Sequence, residues 1–394
     1  MKTTGEWKQR MSPAVNAIAP SGIRKFFDIA AQMDDVISLG VGEPDFVTPW
    51  SIRESCVYSL EQGYTSYTAN RGMPELREEL SKYYEGRYGI SYDAGTDILV
   101  TVGVSEALDL AMRAILSPGD EVLIPEPCYV SYQACTILAG GVPVAVPAKI
   151  ENEFRITPSE LEEHITPKTR ALLIGYPNNP TGAIMEKKDL LAVADFAEKH
   201  DLIVISDEIY GDLTYGEEPH VCFSSLPNML ERTILLNGFS KAYAMTGWRI
   251  GYAMGNPDII AAMTKIHQYT MLCAPITAQM AAIEALRHGE KYMKKMVAEY
   301  DRRRRLIYDG FTKMGLSCFE PKGAFYIFPS IESTGYSSDE FAEALLQAEH
   351  VALVPGSAFG ACGEGHVRCS YATSTNKISS ALTRIENFLK NHRK

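Results

Sequence analysis

The chain has 394 residues, 46% of them hydrophobic and 22% charged, with a formal net charge of −11. That balance suits a soluble globular protein with two domains, or one large α/β domain with a satellite. The acidic excess argues against a nucleic-acid or anionic-membrane surface, since both select basic patches.

In chain order, the first residues, MKTTGEWKQR, lack the apolar core of a signal peptide. The opening segment then runs through SGIRKFFDIAAQ to ISLGVGEPDF. DILVTVG (97–103) reads as a strand and SEALDLAMRAIL (105–116) as the helix after it. EVLIP (121–125), VPVAVP (142–147), RALLIGYP (170–177), LIVISDE (202–208), RTILLNGF (232–239) and RIGYAMG (249–255) follow, several with helical stretches between them. Near-continuous apolar strands alternating with helices predict a mostly parallel sheet covered on both faces, so an α/β fold. Right-handed crossovers would align the carboxyl ends of the strands along one edge.

From about residue 286 the pattern turns α+β. A long charged helix leads to KGAFYIFP, the helix FAEALLQAEH, the strands VALVPG and HVRCSYA, and a last amphipathic helix. The expected division is 1–47 as an arm and part of a small domain, 48–286 as a large domain, and 287–394 as the rest of the small one. The run RRRR (302–305) has helical periodicity and acidic neighbours, and reads as a solvated helix face. Eight cysteines occur without a C-x-x-C pair or clustering with histidine, so no metal site is expected. Their scattered apolar contexts suit free thiols in a reducing compartment, which points to the cytoplasm. No run approaches the length of a membrane span.

Three strand ends carry chemistry. VTVGVSEAL (100–108) ends a strand with Gly103 and opens a helix at Val104 and Ser105, where free backbone N–H groups favour a phosphate. An ordinary serine N-cap has the same letters. YPNNPTG (176–182) is a polar turn in which Asn179 can donate through its amide, although a plain connection reads identically. In IVISDEIYG (203–211), Asp207 closes an apolar strand, an expensive place for a carboxylate without a cationic partner unless it caps a helix. Tyr210 follows within reach of the same site.

The stretch NGFSKAYAMTGWRIGYAMG (237–255) then sets Lys241 and Arg249 in apolar surroundings that read as buried. Such a lysine is costly unless paired, neutralised or covalently used. A phosphate cradle, a carboxylate, an amide, a phenol and a lysine together match pyridoxal 5′-phosphate.

SKAYAMTGWRIGY, NNPTG, SDEIY, KGAFYIFP and VPGSAFG together resemble the fold-type I pyridoxal-phosphate enzymes, specifically class I aminotransferases of the bacterial and archaeal aspartate and aromatic amino-acid branch. The resemblance spans nearly the whole chain. It implies a large domain with a mostly parallel seven-stranded sheet sandwiched by helices, plus a smaller α+β domain. It also implies transfer of an amino group between an aromatic amino acid or aspartate and a 2-oxo acid such as 2-oxoglutarate.

By that resemblance Lys241 would hold the cofactor covalently and move the proton, and Asp207 would pair with the ring nitrogen. Asn179 and Tyr210 would bond the ring oxygen, and Tyr129 would stack on the ring. Gly103, Val104, Ser105, Ser240 and Arg249 would bind the phosphate. Arg368, helped by Gly40, would clamp the substrate carboxylate, and Tyr67 would reach the phosphate of a neighbouring subunit in a homodimer with shared sites.

Two departures from the family pattern stand out. Gly238 takes a place where many relatives have a hydroxyl residue, and no arginine motif for a side-chain carboxylate is found. Arg24, Phe26 and Phe27 could line a substrate pocket or simply pack a helix. A carbon–sulfur β-lyase on the same fold is the rival activity. A pyridoxal-phosphate-sensing regulator would need an added DNA-binding domain, for which the few dozen residues before the core leave no room.

Overall fold

Seven of the apolar runs pair into one sheet. Its strands are β2 (Ile98–Thr101), β3 (Glu121–Glu126), β4 (Val142–Pro147), β5 (Thr169–Gly175), β6 (Ile203–Asp207), β7 (Thr233–Gly238) and β8 (Gly251–Met254), in the order β2-β8-β7-β6-β5-β3-β4. The computed structural model describes residues 7, 9–19, 33–217 and 219–392. Five of the six strand pairs in that order are accounted for by two rules: β3, β4, β5, β6 and β7 run parallel, and β8 runs antiparallel to β7. The sixth is β2, which is antiparallel to β8 and so points the same way as β7. The expectation of a mostly parallel sheet with seven strands holds.

Both faces are covered, which is why these strands are apolar without alternation. Along β5, Leu172 and Ile174 enter one core with Phe196 and Phe223. Ala171 and Leu173 face the other way, into a core with Leu108, Met112 and Met263.

This topology gathers the site. Thr101 and Gly238 both register against Gly251, so the chain leaving β2, the chain leaving β7 and the chain entering β8 meet at one edge. β3, β5 and β6 end at the same edge.

Beyond the sheet, β1 (Ile37–Ser38) lies parallel to β10 (Val351–Ala352), joining the opening segment to the closing part of the chain. A three-stranded antiparallel sheet has the order β11 (Val354–Pro355), β12 (Val367–Ser370), β9 (Tyr326–Ile327). The long helix Glu290–Lys313 packs on the final helix Thr375–Asn391.

The arginine run corrects the sequence reading. Arg302 and Arg305 are exposed, but Arg303 and Arg304 are buried. Arg303 bonds Asp45 at 2.8 Å and Glu299 at 3.1 Å, and Arg304 bonds Glu320 at 2.6 Å. Asp45 and Glu320 lie on other segments, so the run secures the helix to them as well as facing water.

Candidate active site

Where β2 ends, Gly103 adopts φ 77° and caps the helix Val104–Ile115. The Arg249 guanidinium passes so close that a Cβ at Gly103 would stand 2.7 Å from its Nη2. Glycine is therefore required twice, for its left-handed backbone and for the approach of the arginine. Ser105 is the second residue of the helix rather than its cap, so the N-cap alternative does not apply. Gly238 has a packing reason as well, since a Cβ there would lie 3.0 Å from Gly251 Cα and from the Ile250 carbonyl oxygen.

These strand ends open onto a cavity of about 700 Å³. Val104, Ser105, Ser240 and Arg249 line one part of its wall, and Lys241, Asp207, Tyr210 and Tyr129 another. Asn179, Gly40 and Arg368 complete the set expected from the sequence, with Gly103 directly behind Arg249. Tyr67 is not on this wall; it stands 82% exposed on the surface. Arg24, Phe26 and Phe27 lie outside the described residues.

Arg249 departs from the buried reading. It is exposed, bonds the Thr246 carbonyl at 3.0 Å, and turns through φ 54°. An apolar sequence context marked the wall of an open cavity rather than a closed interior. Lys241 is half-buried. Its Nζ donates to the Gly42 carbonyl at 2.7 Å and sits 5.9 Å from the Tyr210 ring centre. Loss of hydration, reinforced by the positive charges of Arg368 and Arg249 and opposed by Glu43, pushes its pKa down to about 8.

Asp207 is buried at the end of β6, and the residues after it form a turn, so it caps no helix. Burial pushes its pKa up to about 6, against hydrogen bonds from the Tyr132 hydroxyl (2.8 Å to Oδ2) and the Ile209 N–H (3.2 Å to Oδ1). Arg368 is buried too. It donates to Asn179 Oδ1 at 2.9 Å and the Gly40 carbonyl at 2.6 Å, while its Nε has no partner. Its guanidinium lies 4.5 Å from the Tyr326 ring centre, and the Tyr326 and Tyr210 hydroxyls are 2.8 Å apart.

Tyr132, Tyr326, Thr246 and Gly42 reach the cavity without having been singled out from sequence. Tyr132 had a signal, since it falls three residues after Tyr129 on what becomes the start of a helix (Ser131–Leu138). Tyr326 stands inside KGAFYIFP, a stretch whose side-chain directions are invisible before folding.

Known proteins resemble this chain over most of its length. The family model for class I and II aminotransferases matches residues 34–385. An aspartate aminotransferase of Pyrococcus abyssi is 49% identical over 96% of this chain and 98% of its own. Aromatic-amino-acid aminotransferase 2 of Thermococcus litoralis is 46% identical with the same coverage. The crystal structure of an aromatic aminotransferase from Pyrococcus horikoshii OT3 superposes with a TM-score of 0.89 at 48% identity, covering 93% of this chain and 98% of that one. With a family model spanning most of its length and relatives this similar end to end, the chain belongs to the class I and II aminotransferases.

Proposed function

We propose that the cavity binds pyridoxal 5′-phosphate and exchanges the amino group of an L-amino acid with a 2-oxo acid. The observation that carries this reading is the presence of Lys241, Asp207, Arg249 and Arg368 on one cavity wall. The donor set fits the group. A helix N-terminus, Ser105, Ser240 and Arg249 suit a phosphate dianion, and Asp207 suits a protonated ring nitrogen. Asn179 and Tyr210 suit the ring oxygen, and the Tyr129 ring can stack on the cofactor.

When bound, pyridoxal 5′-phosphate supplies an aldehyde that condenses with amines and a ring that withdraws electrons. The chain does the rest. Lys241, with its pKa lowered to about 8, is neutral in about a tenth of molecules at pH 7, far more than an ordinary lysine. Its Nζ can therefore take the proton from the substrate Cα and pass it on. Arg368, fixed by Asn179 and Gly40, offers its free edge to the α-carboxylate and so decides which bond at Cα is aligned for cleavage. Asp207 stays poised to ionise because two donors hold its carboxylate, and it keeps the ring nitrogen protonated.

An aromatic donor ranks slightly above aspartate, with glutamate and 2-oxoglutarate as the other couple. Among the described residues lining the cavity, the cationic side chains are Lys241, Arg249 and Arg368, and each already has a role. A second carboxylate would lack a dedicated partner from this chain. The relatives' names span both aspartate and aromatic amino acids.

The working assembly is a homodimer in which Tyr67 serves the neighbouring site. Trp50, Tyr58, Tyr67 and Tyr269 are exposed on adjoining segments, with Asn70 bonded to the Leu272 carbonyl at 2.8 Å. Residues 48–286 form the large domain and 287–394 the smaller one, with 1–47 as an arm and part of the smaller domain, to which Ile37–Ser38 is joined by the β1–β10 pairing. The eight cysteines, none in a disulfide among the described residues, suit the cytoplasm.

The test is a panel of amino acids offered with 2-oxoglutarate, read by glutamate formation. Aromatic amino acids should give the highest kcat/KM, with aspartate next. A far higher value for aspartate would reverse the order. Cleavage of cystathionine with no transfer at all would replace transamination by the β-lyase reading.

A further inference from the structure

We infer that His267 is a positioning residue for the phosphate cradle, acting through Glu106. The inference rests on the reading that the cradle takes the cofactor's phosphate. His267 lies on the helix Pro257–Thr270 with its side chain 0% exposed. Its Nδ1 is 2.6 Å from Glu106 Oε1. The other carboxylate oxygen, Glu106 Oε2, accepts the Val102 N–H at 2.5 Å. Val102 is the residue between β2 and Gly103, and Glu106 stands in the first turn of the helix that Gly103 caps. One carboxylate thus ties the incoming strand to the helix start, and one imidazole holds that carboxylate from behind.

The chemistry explains why the second partner is needed. A carboxylate at a helix N-terminus is attracted by the same positive end that would receive the phosphate, so the two anions compete for it. Bound to Val102 and His267, Glu106 is turned away from the free N–H groups of the cradle. Because the carboxylate accepts, His267 Nδ1 carries the hydrogen between them. His267 Nε2 is buried without a partner. A buried orphan nitrogen is a cost. Retaining the ring there makes sense through what Nδ1 does, since an apolar side chain would fill the space without that cost. Removing the Nδ1 donor leaves Glu106 free to swing toward the cradle and repel a dianion.

The loss should therefore fall on the phosphate half of the cofactor. The experiment titrates pyridoxal 5′-phosphate and pyridoxal, which lacks the phosphate, onto the cofactor-free protein and follows absorbance without any amino acid. His267→Leu should raise the Kd for pyridoxal 5′-phosphate about tenfold, the scale of one charge-assisted hydrogen bond. Its Kd for pyridoxal should change less than about twofold, within the scatter expected for a contact not made. His267→Asn places an amide nitrogen where Nδ1 lies and should restore binding. Equal losses for both ligands, no loss for either, or an Asn variant as weak as the Leu variant would overturn the inference. If the Leu variant does not fold, His267→Gln, whose amide lies at the Nε2 position, replaces it; binding as tight as that of the Asn variant would overturn the inference. An unaltered protein that binds both ligands equally would overturn the cofactor reading itself, and the inference with it.

Discussion

The Tyr132 hydroxyl donates to Asp207 Oδ2 over 2.8 Å, inside a wall where both side chains are buried. The bond favours the ionised carboxylate, while burial opposes it and wins, lifting the pKa from 3.8 to about 6. A folded-state pKa above the unfolded one stabilises the fold below the unfolded value, and that contribution is lost as pH rises through about 6. Cofactor-free Asp207→Asn should therefore match the parent near pH 4 and exceed it above pH 6, by up to about 3 kcal/mol. Urea unfolding at several pH values measures this. A variant less stable than the parent at neutral pH would contradict the electrostatic account.

Lys241 is lowered from 10.5 to about 8, first by loss of hydration. In the cofactor-free protein its amine should label with an amine-reactive reagent along a pH curve centred near 8. Mass spectrometry of the labelled peptide reads the curve. A midpoint near that of a free lysine would remove the basis for Lys241 as a proton carrier.

Arg368→Lys should cost about 100-fold in kcat/KM. A lysine is a point donor and cannot serve Asn179, the Gly40 carbonyl and a carboxylate in one planar fork. Steady-state kinetics with the best amino donor decide it; a loss under about threefold would free Arg368 from substrate binding.

The strands were legible because both faces of the sheet are covered, leaving uninterrupted apolar runs such as ALLIG in β5. Their order was not, since nothing local tells β8 to run antiparallel between β2 and β7. The same gap explains the site. Lys241, Asp207 and Asn179 announced themselves at strand ends, whereas Tyr132 and Tyr326 gain meaning only from residues far along the chain. Arg303 was misread for that reason, its partner Asp45 lying 258 positions away. His267 and Glu106, 161 positions apart, left no trace at all.

Tyr67→Phe subunits mixed with Lys241→Ala subunits should regain activity beyond either parent. A mixed dimer assembles one site free of both changes if Tyr67 serves the opposite subunit. Sedimentation and activity after mixing test this. A monomer with full activity would contradict it.

The central claim is that Lys241 carries the cofactor. The direct measurement is to load the protein with pyridoxal 5′-phosphate, reduce it with borohydride, digest it, and locate the modified peptide by mass spectrometry. The account predicts one stable adduct, on Lys241 in the stretch SKAYAMTGWR, and no such adduct with Lys241→Ala. A stable adduct on another lysine, with full turnover in Lys241→Ala, would contradict it.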